Sequence, residues 1–281
     1  MTTDTPTTTR IYDAEHRLPP IRPYLQETLS HLRFAFEKAR LDRRGAHKDS
    51  WFGRLWNVLN PMLLGFVYWL LVIVIFGRGG ESGLAVLTQI LGGLFLYQLP
   101  SGSLSLGARS IVGGGSFILN TRIPRMILPI SAVISAFLNF VPSLAVYAIF
   151  HVISGYPIGV ELLWTIPILV IVILLSLGLA LVFATLNVYF RDVASFLPFL
   201  IRIWLYLSPV IYLYERIANS YNWALIANPL GGLFASWQQV LFEGTSPSSG
   251  YMAAGLGWAF ITLIVGVFMF MRREREFAIR L

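Results

Sequence analysis

Few side chains in this sequence could carry out chemistry. The only lysines, Lys38 and Lys48, do not follow a glycine, so the chain has no Gly-Lys-Ser/Thr loop of the kind that binds ATP phosphates. Its four histidines are scattered along the chain and it has no cysteine, so no metal-binding spacing and no thiolate nucleophile is present. We therefore predict that this chain is not an enzyme and has no metal or cofactor of its own.

Long apolar runs dominate the rest of the sequence. Hydrophobic residues make up 56% of the 281 residues and charged residues only 12%, whereas soluble domains carry about a quarter charged residues. Each run is near the roughly 20 residues that cross a bilayer. The runs lie at 61–77, 84–106, 126–153, 162–189, 195–214 and 251–271. The pattern predicts an all-α membrane protein with six transmembrane helices. Because no run contains Asp or Glu, transport driven by an ion gradient is disfavoured.

The positions of the basic residues predict the orientation of these helices. Of the 21 lysines and arginines, 18 lie in residues 1–60, in 107–125, at Arg191 or after residue 271, all on one side of a six-helix arrangement. Basic residues near helix ends stay on the cytoplasmic side. We therefore predict that both termini are cytoplasmic, in a multi-pass protein of the cytoplasmic (inner) membrane. This confinement of the charge to membrane-flanking segments argues against nucleic acid as a partner.

Three segments flank or interrupt the predicted spans. Residues 1–23 lack a signal-peptide pattern and are expected to be an uncleaved, disordered tail. Residues 24–60 have apolar side chains at helical spacing between charged ones, which predicts an amphipathic helix in the membrane interface. Between spans five and six, Asn228 can cap a helix over 229–243 that Gly244 ends. That helix is too short to cross, so it should lie at the outer surface or re-enter the membrane.

One charge and several aromatic residues in the spans are candidates for substrate contact. Arg202 is the only charge inside a run, and it either reaches the interface, bonds internally or contacts the phosphate of a lipid-linked substrate. Arg54 belongs to a basic patch that can meet anionic head groups. Aromatic rings suit sliding sugar rings, although membrane belts and packing explain most of them. The aromatic candidates are Tyr68, Trp69, Tyr206 and Tyr212.

Several segments together resemble one family. The relevant stretches are Trp51 to Pro61, Asn120 to Pro129, Asn187 to Val193, Tyr206 to Tyr212, and Asn228-Pro229. In order and position they resemble the ABC-2 type permeases that export polysaccharides, a family that includes the O-antigen permease Wzm and the teichoic acid permeases. The resemblance covers roughly residues 30–281 and makes residues 61–281 the ABC-2 transmembrane domain.

The resemblance implies an assembly and a set of functional residues. It implies a homodimer with two copies of a separate ABC ATPase, which holds the ATP and Mg²⁺, and a polyprenyl-diphosphate-linked glycan as cargo within the lipid membrane. It implies ATPase coupling through two cytoplasmic loops, although Arg191 and Asp192 could also form an ordinary solvated turn. The implied coupling residues are Asn120, Arg122, Pro124, Arg125, Arg191 and Asp192. The implied outer gate contains Asn228, Pro229 and Trp237.

The resulting hypothesis is export of a lipid-linked polysaccharide, of the O-antigen, teichoic acid or galactan type, for cell-envelope biogenesis. Scarce lysine and a threonine-rich N-terminus are typical of an actinobacterial protein, for which galactan is the natural candidate. Two alternatives stay open: a drug or lipid exporter of the ABC-2 type, and a membrane scaffold for glycosyltransferases.

Overall fold

The computed structural model describes residues 21–45, 52–75, 83–115 and 123–280, and every regular element within these ranges is helical. The predicted all-α membrane fold is therefore confirmed. The elements are α1 (Ile21–Ser30), α2 (Leu32–Gly45), α3 (Trp56–Leu70), α4 (Gly83–Gly113), α5 (Ile127–Ile153), α6 (Thr165–Tyr189), α7 (Val193–Leu207), α8 (Glu215–Ala227), α9 (Gly231–Gln238), α10 (Ser249–Arg273) and α11 (Phe277–Arg280).

Five segments of the described ranges are long and apolar enough to cross a membrane: Trp56–Ile73, Gly83–Gly113, Ile127–Ile153, Val160–Tyr189 and Ser249–Arg280. Helix α4 is central, because it packs against α3, α5, α6, α7 and α9 and is the most buried of the five. A sixth helix, α7, is apolar but has only 15 residues. The predicted count of six spans therefore requires that α7, together with the residues that follow it, also crosses the membrane.

Helices α6 and α10 approach each other closely where two glycines face across the contact. A Cβ atom at Gly178 would lie 2.5 Å from the backbone nitrogen of Leu263, and one at Gly266 would lie 2.4 Å from the carbonyl oxygen of Gly178. Small residues let helix backbones meet in a membrane, where the hydrophobic effect does not drive helices together. This contact joins the fourth apolar run to the last one and closes the bundle.

Helices α1 and α2 form most of the predicted interface segment, and α1 begins at Ile21, inside the stretch expected to be tail. Helix α2 packs against α5 through Ala35 and Ala39, which are completely buried. Its larger apolar side chains, Phe36 and Leu41 among them, remain exposed on the protein. The small face thus binds the bundle, while the large apolar face is available for lipid. Residues 1–20 lie outside the described ranges.

The fifth apolar run is not one helix, so the prediction of a continuous span over 195–214 is wrong. Helix α7 ends at Leu207, and Ser208 is extended, with φ −101° and ψ 149°. Proline at 209 disfavours helical geometry in the residue before it. The chain then runs without regular structure to Tyr214 and becomes helical again at Glu215. Apolarity continues across the break, which is why the sequence pattern concealed it.

One amide side chain, that of Gln238, makes three hydrogen bonds to the backbone of the irregular stretch Ser208–Tyr214. The Nε2 atom of Gln238 donates to the carbonyl oxygens of Pro209 at 2.7 Å and Tyr212 at 3.0 Å, and its Oε1 accepts from the backbone nitrogen of Tyr214 at 2.8 Å. The carbonyl oxygen of Val210 lies so close to α4 that a Cβ at Gly93 would be 1.8 Å from it. Non-helical backbone at membrane depth persists only where protein or water satisfies it.

The helix predicted between spans five and six exists in shorter form. The prediction was 229–243; the structure has α9 followed by a single π-helical turn, Gln239–Glu243, and Gly244 ends it in the left-handed conformation with φ 63°. Every residue of α9 is buried, in contact with α4, α6, α8 and α10. The structure therefore favours the re-entrant arrangement over a helix lying on the outer surface.

Replacing Gly93 with alanine should destabilise the protein, because the new methyl group would overlap the Val210 carbonyl and displace the irregular stretch. Overpacking of this kind costs about 1–3 kcal/mol or more. We expect a lower midpoint of thermal unfolding in detergent for Gly93→Ala. Gly257→Ala is the matched control, because no atom lies within 4 Å of a Cβ at that exposed helical position; equal midpoints for the two variants would contradict this packing.

Replacing Gln238 with leucine should also destabilise the fold, by leaving three buried backbone groups without a partner. Each buried unsatisfied polar group costs about 1–3 kcal/mol. Gln89→Leu serves as control, since Gln89 lines the same cavity as Gln238 but makes none of these bonds. In chemical denaturation followed by tryptophan fluorescence, Gln238→Leu should have a clearly lower free energy of unfolding than Gln89→Leu. Similar free energies for the two variants would contradict the role of Gln238 in holding the irregular stretch.

Candidate functional site

A groove on one side of the bundle, with a mostly apolar lining and several polar side chains, brings three of the predicted contact residues together. It has a volume of about 540 Å³ and lies between α3, α4 and α7. Tyr68 from α3 and Tyr206 from α7 join their hydroxyls at 2.8 Å, with the rings edge to face at 6.3 Å. Arg202, one turn before Tyr206, lines the same groove with its side chain exposed. Within the described chain we find no hydrogen bond or ion pair from Arg202.

The polar floor of the groove comes from α4 and was missed by the sequence reasoning. Gln98, Ser101 and Ser105 occupy one face of this otherwise apolar helix and line the groove. The Nε2 atom of Gln98 donates to the carbonyl oxygen of Asn57 at 2.7 Å, and its Oε1 accepts from Ser143 at 2.7 Å. The sequence did contain a signal for this polar face, because Gln98, Ser101 and Ser105 are spaced by three and four residues in an apolar run.

A second cavity, of about 390 Å³, adjoins the groove through Tyr68, which lines both. Its wall includes Tyr212, Arg216 and Gln238, and the hydroxyl of Tyr212 donates to the carbonyl oxygen of Tyr206 at 3.2 Å. The break after α7 places Tyr212 there, because the irregular stretch turns back towards α4. Aromatic rings and a charged side chain therefore continue from the groove into this cavity.

The remaining contact candidates are placed differently. Trp69 stacks on Phe66 and donates its indole N–H to the carbonyl oxygen of Gly83 at 2.6 Å, so it supports the end of α3 and does not line the groove. The side chain of Arg54 lies outside the described part of the structure. Trp69 is thus the one described aromatic candidate that the fold does not bring to these cavities.

The residues assigned to an outer gate are buried to different degrees: Asn228 and Pro229 are half-buried and Trp237 is buried. Asn228 links two helices: its Nδ2 donates to the carbonyl oxygen of Leu207 and to the hydroxyl of Ser208, and its Oδ1 accepts from the indole of Trp204 at 2.8 Å. Its Oδ1 also accepts the backbone N–H of Leu230 near the start of α9, in agreement with the predicted cap. Pro229 is half-buried, and Trp237 is buried and donates to the carbonyl oxygen of Gly92 on α4.

The candidate coupling residues lie at the opposite end of the bundle, in two loops. In the first, Pro124 is buried, and Arg125 contacts the segment after α10. In the second, Arg191 and Asp192 are exposed between α6 and α7, and the carbonyl oxygen of Asp192 accepts from Phe196 in the first turn of α7. Asn120 and Arg122 fall outside the described residues.

The side chains of the described residues form no cluster of three or more His, Asp or Glu that could hold a metal ion. The candidate site therefore consists of a groove with aromatic and polar side chains and, at the other end of the bundle, the two loops that contain the candidate coupling residues. Such an arrangement can guide a ligand.

Comparison with known proteins assigns the chain to a family. Residues 43–242 match the model of the ABC-2 type transporter family. The O-antigen export system permease protein RfbA of Klebsiella pneumoniae is 28% identical over 239 residues, covering 84% of this chain and 90% of that protein. The protein of the same name from Myxococcus xanthus is 27% identical over 241 residues, with the same coverage. With its long apolar helices, this chain is a multi-pass protein of the inner membrane and belongs to the ABC-2 type transporter family.

Proposed function

We propose that this chain is the permease subunit of an ABC transporter that exports a lipid-linked polysaccharide across the cytoplasmic membrane. The observation that carries the proposal is the groove between α3, α4 and α7, read together with relatives named as O-antigen export permeases. The groove combines aromatic faces, neutral hydrogen-bonding groups and one arginine, which are the groups that a sugar chain on a diphosphate carrier requires.

Each part of the groove matches one part of such a cargo. Tyr68 and Tyr206 offer ring faces for sugars, and Gln98, Ser101 and Ser105 offer hydrogen bonds to hydroxyl groups. Arg202 offers a planar, permanently charged partner for a phosphate oxygen. Its exposure means that this interaction needs no prior rupture of an internal bond. O-antigen, teichoic acid and galactan polymers all satisfy this chemistry.

The groove is open along one side of the chain, which supports a homodimer in which a second copy completes a channel. The energy source is assigned to two copies of a separate ABC ATPase with bound ATP and Mg²⁺, since this sequence has no Gly-Lys-Ser/Thr loop. We assign the contacts with that ATPase to the cytoplasmic loops that contain Asn120, Arg122, Pro124 and Arg125, and Arg191 and Asp192. Pro124 acts there by shaping the loop, because its side chain is buried.

Depletion of this protein in its host should cause lipid-linked polysaccharide to accumulate on the cytoplasmic side of the membrane, because synthesis continues while export stops. A membrane-impermeant glycan label, applied to spheroplasts before and after lysis, measures how the lipid-linked polysaccharide is distributed between the two sides of the membrane. A wild-type copy restored on a plasmid is the control. Unchanged distribution after depletion would contradict polysaccharide export and favour the drug-exporter or scaffold alternative.

Arg202→Ala should lower export without lowering the amount of protein in the membrane. Loss of a hydrogen bond to a charged group is worth about 1.5–3 kcal/mol, or roughly tenfold or more in binding. Ile203→Ala is the matched control, as Ile203 is an exposed neighbour on α7 that does not line the groove. Surface glycan in a depleted strain carrying each variant measures the effect; equal export by both variants would remove Arg202 from the substrate path.

A further inference from the structure

The chain does not leave the bundle where its last long helix ends. After α10 it forms a 3-10 turn, Glu274–Glu276, and then α11, Phe277–Arg280. Phe277 is completely buried, with its ring edge to face against Phe270 at 5.1 Å. It belongs to an apolar cluster that also includes Ile111, Met126, Leu181 and Val188 from α4, α6 and the first loop. We call residues 274–280 the C-terminal strap.

One end of the strap is bonded to the first cytoplasmic loop in both directions. The Oε1 atom of Glu274 accepts the backbone N–H of Arg125 at 2.7 Å, and the guanidinium of Arg125 donates to the backbone carbonyl of Glu274. In this pair the side chain of each residue bonds to the backbone of the other. Two such bonds fix both the position and the orientation of Arg125 relative to Glu274. Arg125 is therefore attached to the strap, two residues before α5 begins.

The other end of the strap is bonded to the last residue of α6, immediately before the second loop. Tyr189, the last residue of α6, donates its hydroxyl to the carboxylate of Glu276. The guanidinium of Arg280 lies over the Tyr189 ring at 4.3 Å from its centroid, and that of Arg273 lies at 5.4 Å. Arg273 and Arg280 also pair with Glu276, at 2.9 Å and 3.4 Å. These contacts hold Tyr189 immediately before the exposed Phe190, Arg191 and Asp192.

The N-terminal helix α1 contacts the same place. Tyr24 packs against the apolar cluster of the strap. Burial raises the pKa of its phenol, and the nearby carboxylate of Glu274 raises it further, so the hydroxyl stays protonated beside that carboxylate. The strap, although only seven residues long, thus contacts α1, the first loop and the end of α6.

We infer that the C-terminal strap is a rigid link that makes the two cytoplasmic loops move as one unit. If each loop receives force from an ATPase, as the proposed function requires, an unlinked pair could be displaced separately, with ATP hydrolysed and no helix movement. The strap prevents this because Glu274 holds one loop, Glu276 holds the other, and Phe277 anchors both to the helices. The glutamates therefore position the coupling loops and need no contact with cargo or nucleotide.

A test that does not depend on cargo measures transmission between the loops. Amide hydrogen exchange of Arg125 should rise about tenfold in Tyr189→Ala, even though the substitution is at the end of α6 beside the other loop, because the loss of a bond to a charged group loosens the strap as a whole. Ile279→Ala is the control, since Ile279 belongs to the strap but is 87% exposed. Exchange at Arg125 that is unchanged in Tyr189→Ala would overturn the inference.

A second test measures coupling in the complete complex. Reconstituted with its ATPase, Glu276→Ala should hydrolyse ATP at a rate within about twofold of wild type, while glycan exported per ATP falls about tenfold. Ile279→Ala should keep both values. An unchanged ratio of export to hydrolysis in Glu276→Ala would overturn the inference. A wild-type complex that hydrolyses ATP without exporting glycan would instead contradict the proposed function, and the exchange measurement would still decide whether the strap links the loops.

Discussion

Backbone groups that leave a helix inside a membrane must find hydrogen-bond partners in the protein, and the half of the bundle around α9 depends on how that requirement is met. Helix α7 stops at Leu207, and two amide side chains, the buried Gln238 and the half-buried Asn228, bond to the residues at and after this break. Both amides come from the re-entrant α9 region, so the break and the re-entrant helix stabilise each other. Without the other, each would expose unpaired backbone groups to hydrocarbon.

The short α7 has a direct consequence for the candidate cargo path. Because the chain turns towards Gly93 after Ser208, Tyr212 is placed near Tyr206 and Tyr68, where a continuous helix would have carried it further along the helix axis. The polar face of α4 then completes a groove with aromatic, amide and guanidinium groups. At the other end of the bundle, charged residues after α10 contact Arg125 in one loop and Tyr189 beside the other. The two ends of the bundle therefore have separate tasks.

Most of the helices could be predicted from sequence because long apolar runs are strong signals. The runs at 126–153 and 162–189 correspond closely to helices α5 and α6, and Gly244 ends its helix as its residue type predicts. The break at Ser208 was hidden because the side chains stay apolar across it, with Ser208-Pro209 as the only local sign. Glu274 and Tyr189 were missed because their importance lies in contacts between residues far apart in the chain.

The most direct test of the central claim is translocation by purified components. Proteoliposomes containing this chain and its ATPase, loaded with a polyprenyl-diphosphate-linked glycan, can be assayed for movement of the glycan head to the opposite leaflet. We expect movement that requires ATP, this chain and a hydrolysis-competent ATPase. Glycan that stays in its original leaflet while small amphiphiles stimulate ATP hydrolysis would contradict it.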